Sequence, residues 1–401
     1  MATTLRSWTI GTLAGSGEPG FSGDGGPSGQ ACLNEPKGLA IDSHGNVYIA
    51  DSENHLVRRI DRATGIISTV AGVPGDESMR SAVQHDTEAR QAAEEDPFAD
   101  TSQAATQKYT QQADVSGTVR YLINGVAVQK RFGGDGGPAT QARLNFPTAV
   151  VVDQKGTIFI ADTMNHRVRR VDAATGVITT LAGTGQARFS GDGGPADQAA
   201  LNEPAALALH GEGHLFIADQ TNHRVRVVDL NTRLISTYAG TGSATYDGDG
   251  VPAAAASLAG PSGVVVRNGT LYIADTFNSR IRAVELSTGL ISTVAGDGGE
   301  YRYQSSNEPP SSSLSRPSGV VIDLCGNLFV TDSDSHLVRR WDCETRLTVR
   351  VAGAGIASFA GDGGTALEAG LSYPFGIVVD QDGALLVADT FNHRIRRLSM
   401  E

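Results

Sequence analysis

The sequence has little cysteine, few aromatic residues and no long apolar run. Its three cysteines, Cys32, Cys325 and Cys343, are too few for a disulfide framework, and their spacing matches no zinc motif. Whether Cys325 and Cys343 pair stays open. No stretch is long enough to span a membrane, and the amino-terminal segment has no apolar signal-peptide core. We therefore expect a soluble chain, of a compartment that the sequence leaves undetermined.

The chain also lacks an excess of positive charge. Its formal net charge is −12, whereas nucleic acids and anionic membranes select proteins with a basic surface. We therefore expect neither nucleic acid nor membrane as the main partner. With 40% hydrophobic residues the chain can bury a core, and its 49 glycines favour many tight turns between short strands.

One sequence unit recurs along the chain. In its second copy it runs from "PTAVVVD" through "GTIFIADTMNHRVRRVD" to "TGVITTLAG". From the second copy onward the starts lie 57, 57, 56 and 57 residues apart, close to the period of four-stranded propeller blades. Each unit contains four β-branched segments separated by turn residues, which predict four short strands. The copies begin at Pro36, Pro147, Pro204, Pro261, Pro317 and Pro374.

The two ends of the chain supply complementary parts of one unit. The sixth copy stops after its third strand, "HRIRRLSME", while "WTIGTLAG" (8–15) matches the fourth-strand segment "GIISTVAG" (65–72). We predict an all-β fold, a six-bladed β-propeller of four-stranded antiparallel blades, whose last blade is closed by the amino-terminal strand. It would occupy residues 1–401 as a single propeller domain.

The repeat resembles a known family. The pattern "PxGVAVDxxGNLYIADxxNHRVRRVD" is similar to NHL repeats, and "GDGGPA…LNxP…TVAG" resembles the bacterial form of that repeat, which is similar to the teneurin NHL domain. The resemblance covers the chain outside 74–131 and implies a propeller. It implies no single activity, because NHL-like propellers include interaction modules, RNA-binding modules and some metal-dependent lyases and hydrolases.

Residues 74–131 interrupt the pattern between the first and second copies. The segments 81–95 and 101–113 predict short helices, which Pro97 separates. The segment 118–131 predicts a β-hairpin, with Asn124–Gly125 suited to a type I′ turn. Whether this insertion is a lid, a docking arm or a passive loop stays open.

Aspartates and histidines recur in the units, and this repetition favours a structural role. A residue present in every blade is far from its copies, so these residues are better suited to local hydrogen bonds than to one metal site. The aspartates of the "GDGG" loops follow the same argument, since calcium needs six to eight oxygens. The repeated aspartates that follow the second predicted strand are Asp51, Asp162, Asp219, Asp275, Asp332 and Asp389. The repeated histidines are His55, His166, His223, His336 and His393, and Ser279 takes the place of a histidine in the fourth unit.

The units differ most where each inner strand begins. The residue before the opening proline varies in charge and size, and in a propeller these positions would surround the mouth of the central channel. They could bind a polar ligand or a peptide terminus, or form a hydrated rim. The candidate binding residues from this region are Glu35, Lys37, Phe146, Glu203, Arg316 and Tyr373.

The fifth unit replaces "GDGG" with "EYRYQSSNEPPSSSLSRP" (300–317). Aromatic residues and arginine are enriched at binding surfaces, so Tyr301, Arg302 and Tyr303 join the candidates. We expect a non-catalytic scaffold that binds a protein or peptide on the face carrying the insertion, this loop and the channel mouth, and no cofactor.

The alternative is a metal-dependent lyase or hydrolase at the channel mouth, which the resemblance to propeller enzymes implies. Glu35, Glu203 and Asn145 would then hold calcium or zinc. No nucleophile–histidine arrangement can be assembled from the motif spacing, so the sequence favours the scaffold.

Overall fold

Six four-stranded antiparallel sheets surround a central axis in the computed structural model, which describes residues 7–75, 109–113, 119–123, 126–128, 132–299 and 313–400. Neighbouring sheets contact each other through their inner strands, which begin at the six repeat prolines. The predicted six-bladed propeller is confirmed. We number the blades 1 to 6 from these inner strands.

The strands of a blade follow one another outward in chain order, as their β-branched segments and turn residues predict. The inner strands are Pro36–Ile41, Pro147–Val152, Pro204–His210, Pro261–Arg267, Pro317–Ile322 and Pro374–Val379. The second strands are Val47–Asp51, Ile158–Asp162, His214–Asp219, Thr270–Asp275, Leu328–Asp332 and Leu385–Asp389. The third strands are Leu56–Ile60, Arg167–Val171, Arg224–Asp229, Arg280–Glu285, Leu337–Trp341 and Arg394–Met400. The outer strands of blades 1 to 5 are Ile67–Ala71, Ile178–Ala182, Ile235–Ala239, Ile291–Ala295 and Thr348–Ala352.

Blade 6 takes its outer strand from the other end of the chain. Trp8–Ala14 pairs antiparallel with Arg394–Met400, so that Trp8 lies opposite Met400 and Ile10 opposite Leu398. Ile10 is buried in the cluster that contains Leu398, and the Trp8 ring packs edge-on against Phe329 of blade 5. The predicted closure by the amino-terminal strand is confirmed.

The hydrophobic core lies between neighbouring blades. Phe216 and Val225 of blade 3, for example, pack in one cluster with Val264 and Leu271 of blade 4. Because every blade is covered on both faces, the second strands are buried along most of their length. Stability therefore depends on each blade having two neighbours.

The inner strands approach each other closely at the axis. A β-carbon on Gly376 of blade 6 would lie 2.1 Å from the carbonyl oxygen of Lys37 in blade 1. Hydroxyl groups join the same strands, since Thr163 donates to the carbonyl of Pro204 at 2.8 Å and Thr390 to that of Pro36 at 2.9 Å. Ser52, Thr276 and Ser333 form the same bond to the next blade, whereas blade 3 has Gln220 at this position.

Short 3-10 helices occur at two repeated places. One set follows the "GDGG" loops, where Gly134 has a φ of +87° and a β-carbon would lie 2.6 Å from the α-carbon of Ala142. This set comprises Ser28–Gln30, Ala139–Gln141, Ala196–Gln198, Ala253–Ala255 and Ala366–Glu368. The other set forms the turns after the second strands, at Thr163–Asn165, Gln220–Asn222, Thr276–Asn278, Ser333–Ser335 and Thr390–Asn392.

The described part of the insertion is a three-stranded antiparallel sheet of Tyr109–Ala113, Val119–Ile123 and Val126–Val128. The predicted hairpin is confirmed by the pairing of Ile123 with Val126. The helix predicted over 101–113 is wrong for its last five residues, which form the first of these strands. Pairing with Val119–Ile123 outweighs the weak helical preference of so short a segment. The helix predicted over 81–95 lies outside the described residues.

No helix in the described ranges is long and apolar enough to cross a membrane. The thiols of Cys325 and Cys343 are free, and that of Cys343 donates to the carbonyl of Cys325 at 3.2 Å.

Candidate functional site

The candidate site is the end of the ring where inner strands begin and second strands end, which we call the channel-mouth face. Hydrogen bonds hold its two kinds of loop together. The N–H of Met164, in the turn after a second strand, donates to the carbonyl of Asn145, in the loop before an inner strand, at 3.1 Å. The same bond joins Thr221 to Asn202 at 3.2 Å. Each blade therefore presents two adjacent loop positions on this face.

The aspartate that ends each second strand is part of the fold. Asp162 is buried and accepts the N–H of Asn145 at 2.7 Å, the side-chain amide of Asn165 at 2.9 Å and the guanidinium of Arg169 at 3.1 Å. Burial raises the pKa of Asp162 to about 6, although these hydrogen bonds act to lower it. Its oxygens are directed at the loop and the arginine.

The "GDGG" aspartate binds the same arginine from the other side. Asp135 accepts the guanidinium of Arg169 at 2.6 Å and the hydroxyl of Thr180 at 2.6 Å. Arg169 is fully buried, and its guanidinium carbon lies 4.8 Å from the ring centroid of Phe132. The arrangement repeats at Arg58, Arg226, Arg282 and Arg396. We call these buried residues the clamp arginines.

The repeated histidines join neighbouring blades. Nδ1 of His223 accepts the N–H of Gly260 in the next blade at 3.1 Å, and Nδ1 of His336 accepts that of Tyr373 at 3.2 Å. This bond assigns the ring proton to Nε2. In blade 4, Ser279 donates its hydroxyl to the carbonyl of Ser315 at 2.9 Å instead. These side chains therefore hold the position that precedes each inner strand.

We expect these contacts to weaken in acid. Burial lowers the pKa of His223, His336 and His393 below the ordinary value. Their contribution to stability is therefore complete above about pH 6.5 and is lost as the pH falls through the lowered values. H223Q should reduce the fall in the free energy of unfolding between about pH 6.5 and 5, measured by urea denaturation. An identical pH profile for H223Q and the wild type would contradict the prediction.

The blades differ at two positions of the channel-mouth face, which together we call the rim. The first is the residue before the inner-strand proline, as the sequence predicts. The second is the middle residue of the turn after the second strand, which the sequence analysis missed although it varies within the "ADxxNH" motif. In blade order the pairs are Glu35 and Glu53, Phe146 and Met164, Glu203 and Thr221, Gly260 and Phe277, Arg316 and Asp334, Tyr373 and Phe391.

Charged and apolar pairs alternate around the rim. Of the charged pairs, Glu203 in blade 3 accepts the Thr221 hydroxyl at 3.0 Å, and Arg316 in blade 5 lies 3.8 Å from Asp334. The apolar pairs occupy blades 2, 4 and 6, where the rings of Tyr373 and Phe391 lie 4.9 Å apart. The apolar members Met164, Phe277 and Phe391 are 40%, 58% and 44% exposed.

Lys37 lies in the channel mouth beneath the rim. Its Nζ is 4.7 Å from the ring centroid of Phe146 in blade 2 and 4.5 Å from that of Phe375 in blade 6. Burial lowers the pKa of Lys37, whereas the charges of Glu35 and Glu53 act to raise it. Among the described residues it has no hydrogen-bond acceptor and no ion-pair partner within contact distance.

The carboxylates of blade 1 influence each other. Burial raises the pKa of Glu35. Burial, and after it the charge of Glu35, raises the pKa of Glu53 to about 7, while Lys37 acts to lower it. Two acidic groups thus share the electrostatic influence of one lysine, and the three side chains carry a net negative charge when both carboxylates are ionised.

The structure places the other predicted residues as follows. Six candidate binding residues lie at the channel mouth: Glu35, Lys37, Phe146, Glu203, Arg316 and Tyr373. Their binding role stays a prediction. Tyr301, Arg302 and Tyr303 lie outside the described residues. For the alternative metal site, Glu35, Asn145 and Glu203 come from blades 1, 2 and 3. No group of three or more His, Cys, Asp or Glu side chains in the described part of the chain is placed to hold a metal.

Comparisons with known proteins bear on the family. The protein-family model described as the teneurin NHL domain matches residues 9–94 and 124–190 of the sequence. The family model described as the NHL repeat matches residues 371–398. The chain is an NHL-repeat β-propeller. Among curated relatives it is 28% identical over 265 residues to NHL repeat-containing protein 2 of Homo sapiens, covering 58% of this chain and 36% of that protein. It is 30% identical over 234 residues to Teneurin-1 of Mus musculus, covering 52% and 8%.

The NHL-repeat propeller thus spans less than half of the length of these relatives. A similar share applies to Protein SUPPRESSOR OF QUENCHING 1 of Arabidopsis thaliana, which is 29% identical over 276 residues, 66% of this chain and 26% of that protein. The activities of these longer relatives therefore cannot be assigned to this chain from the similarity alone.

Solved structures share the fold at low identity. A protein of unknown function from Bacteroides thetaiotaomicron has a TM-score of 0.62 at 18% identity, covering 99% of this chain and 76% of that chain. A streptogramin B lyase has a TM-score of 0.51 at 14%, covering 98% of each. A gluconolactonase from Xanthomonas campestris has 0.51 at 14%, covering 92% and 87%. At such identities these likenesses show the propeller and not an activity.

Proposed function

We propose that this NHL-repeat propeller is a non-catalytic interaction scaffold that binds a protein or peptide on its channel-mouth face. The observation that carries the proposal is the rim. Residues that build the blades repeat from one blade to the next, whereas the rim pairs change in every blade. If the rim residues had only a structural role, we would expect them to repeat from blade to blade as the residues that build the blades do.

Backbone strain at the rim supports the proposal. Glu35, Phe146, Glu203 and Tyr373 have φ values of +46°, +52°, +53° and +47°, in the left-handed region that favours glycine. Glycine occurs at this position only in blade 4, as Gly260. Four blades therefore keep a side chain at a strained position, as residues with a role beyond folding often do.

The exposed apolar side chains also differ between the two ends of the ring. At the opposite end, Ile66, Leu234 and Leu290 are exposed at one repeated turn position, and each forms a β-bridge with a proline of a "GDGG" loop or its equivalent. Met164, Phe277 and Phe391 vary in type and lie on the rim. Exposed apolar groups that alternate with charged ones are typical of protein-binding surfaces.

We include the insertion and the 300–317 loop in the proposed face because of where the described chain enters and leaves them. The outer strand of blade 1 ends at Ala71, at the channel-mouth end, and the chain rejoins the repeat at Phe132. The 300–317 loop leads into Arg316, a rim residue. Both non-repeating segments are therefore connected to the face that the rim marks, and the net charge of −12 favours a protein partner over nucleic acid or membrane.

The proposal can be tested with a rim variant and a matched control. The triple variant M164S/F277S/F391S should lose partners that the wild type captures from the native source, by at least roughly thirtyfold if the three side chains together contribute about 2 kcal/mol or more to binding. L324S, which changes a side chain that is 87% exposed in a hairpin at the opposite end, should keep them. Quantitative mass spectrometry of the captured proteins makes the comparison.

Equal recovery by the triple variant and the wild type would contradict the proposal. A protein lacking 76–130 should be included, because unchanged partners in that variant would remove the insertion from the docking surface while leaving the rim in place. Thermal unfolding of all variants checks that each is folded.

A further inference from the structure

We propose that the channel mouth between blades 6, 1 and 2 binds the free amino terminus of a peptide. The inference rests on the proposed function and adds to it the chemical group that the face recognises. It draws on three features of this sector: a pair of carboxylates, an ammonium group with unused donors, and apolar side chains on both sides.

The carboxylates supply the attraction for a cation. Glu35 and Glu53 occupy the two rim positions of blade 1, and neither side chain has a hydrogen-bond or ion-pair partner among the described residues. With Lys37 they carry a net charge of −1 when both are ionised. Because the groups are partly removed from water, a ligand with one positive charge gains more here than at an exposed surface.

Lys37 supplies donors for an oxygen atom. Its ammonium lies between the rings of Phe146 and Phe375, which stabilise its charge but accept no conventional hydrogen bond. Lys37 is partly exposed, and its ammonium donates no hydrogen bond to any acceptor among the described residues, so its donors are available to a ligand that enters the mouth. The position beneath the rim places such an acceptor inside the channel mouth.

Apolar side chains bound the sector on both sides. Phe146 and Met164 lie on the blade 2 side, and Tyr373 and Phe391 lie on the blade 6 side. Their rings and the Met164 thioether offer contact area to a small apolar side chain, and aromatic faces also favour a nearby cation. A ligand that enters between them meets the carboxylates at the rim and Lys37 below.

A peptide amino terminus matches this order of groups better than the other charged parts of a peptide. Its ammonium suits Glu35 and Glu53, and the carbonyl oxygen of the same residue can accept from Lys37. A lysine or arginine side chain carries no acceptor beside its charge. A carboxyl terminus could accept from Lys37 but would bring a third negative charge next to the two glutamates.

The test uses a library of random hexapeptides attached to beads through their carboxyl ends, with either free or acetylated amino termini. Fluorescently labelled wild-type protein should be retained at least tenfold more strongly by the free library. E35Q, E53Q and K37M should each reduce this preference. The matched control is E212Q, which removes a carboxylate that pairs with Lys155 on a hairpin at the opposite end of the ring.

Equal retention on the two libraries, or retention on neither, would overturn the inference. So would a preference that survives in E53Q and K37M while their thermal unfolding midpoints match the wild type. The outcome is separable from that of the rim variant. If M164S/F277S/F391S loses its partners but acetylation has no effect, the interaction face stands and the amino-terminal recognition falls.

Discussion

Replacing Arg169 with methionine is expected to lower the free energy of unfolding by about 3–5 kcal/mol, the usual effect of removing one partner from a buried ion pair. Arg169 lies between Asp162 and Asp135, and its removal would leave Asp162 with an uncompensated charge in a fully buried position. It would also remove the contact with the Phe132 ring. Urea denaturation at pH 7 measures the effect.

The next residue of the same strand provides the control. Arg170 points to the other side of the sheet and pairs with Asp172 at 2.9 Å, where both side chains are about one-third exposed. R170M should therefore cost less than about 1 kcal/mol, as partly exposed ion pairs usually do. If R169M and R170M have the same stability, the clamp arginines do not hold the "GDGG" loops as the geometry indicates.

Deleting residues 1–14 is expected to remove most of the stability of the propeller. The deletion takes away the outer strand of blade 6, including buried Ile10 and partly buried Trp8 and Leu13. Lost burial of these side chains alone amounts to roughly 5 kcal/mol, against total domain stabilities of about 5–15 kcal/mol. The truncated protein should have a much lower thermal midpoint and should expose the edge of Arg394–Met400.

A shorter deletion, of residues 1–6, leaves the strand complete and should not change the midpoint. A synthetic peptide of residues 7–17, added to the protein that lacks 1–14, should restore part of the lost stability because it can pair in the same register. An unchanged midpoint in the long deletion would show that five complete blades and one three-stranded blade suffice.

The sequence predicts the fold well because the repeated units show where each blade begins and ends. Prolines mark the start of every inner strand, and the match of "WTIGTLAG" to internal fourth strands identifies the closing strand. The prediction of a helix over 101–113 was wrong for its last five residues because no repeated unit covers that segment. These residues pair with a neighbouring strand, and the local sequence does not reveal that pairing.

The candidate site was predictable only in part. Glu35 and Tyr373 stand before a proline at a position that visibly varies, so sequence comparison between units finds them. Glu53 and Phe391 vary too, but their position beside the first set depends on a hydrogen bond between two loops. The contact of Lys37 with Phe146 and Phe375 joins three blades, and no pattern within one unit encodes it.

The order of synthesis gives the closing strand a further consequence. Trp8–Ala14 is synthesised before every other strand of the propeller and its partner Arg394–Met400 after them, so the pair can form only once the rest of the propeller has been made. Until then Trp8–Ala14 has an unpaired edge and an apolar face that other chains could join. The ring therefore cannot close before Arg394–Met400 has been synthesised, and a nascent chain stalled before residue 394 is expected to be aggregation-prone.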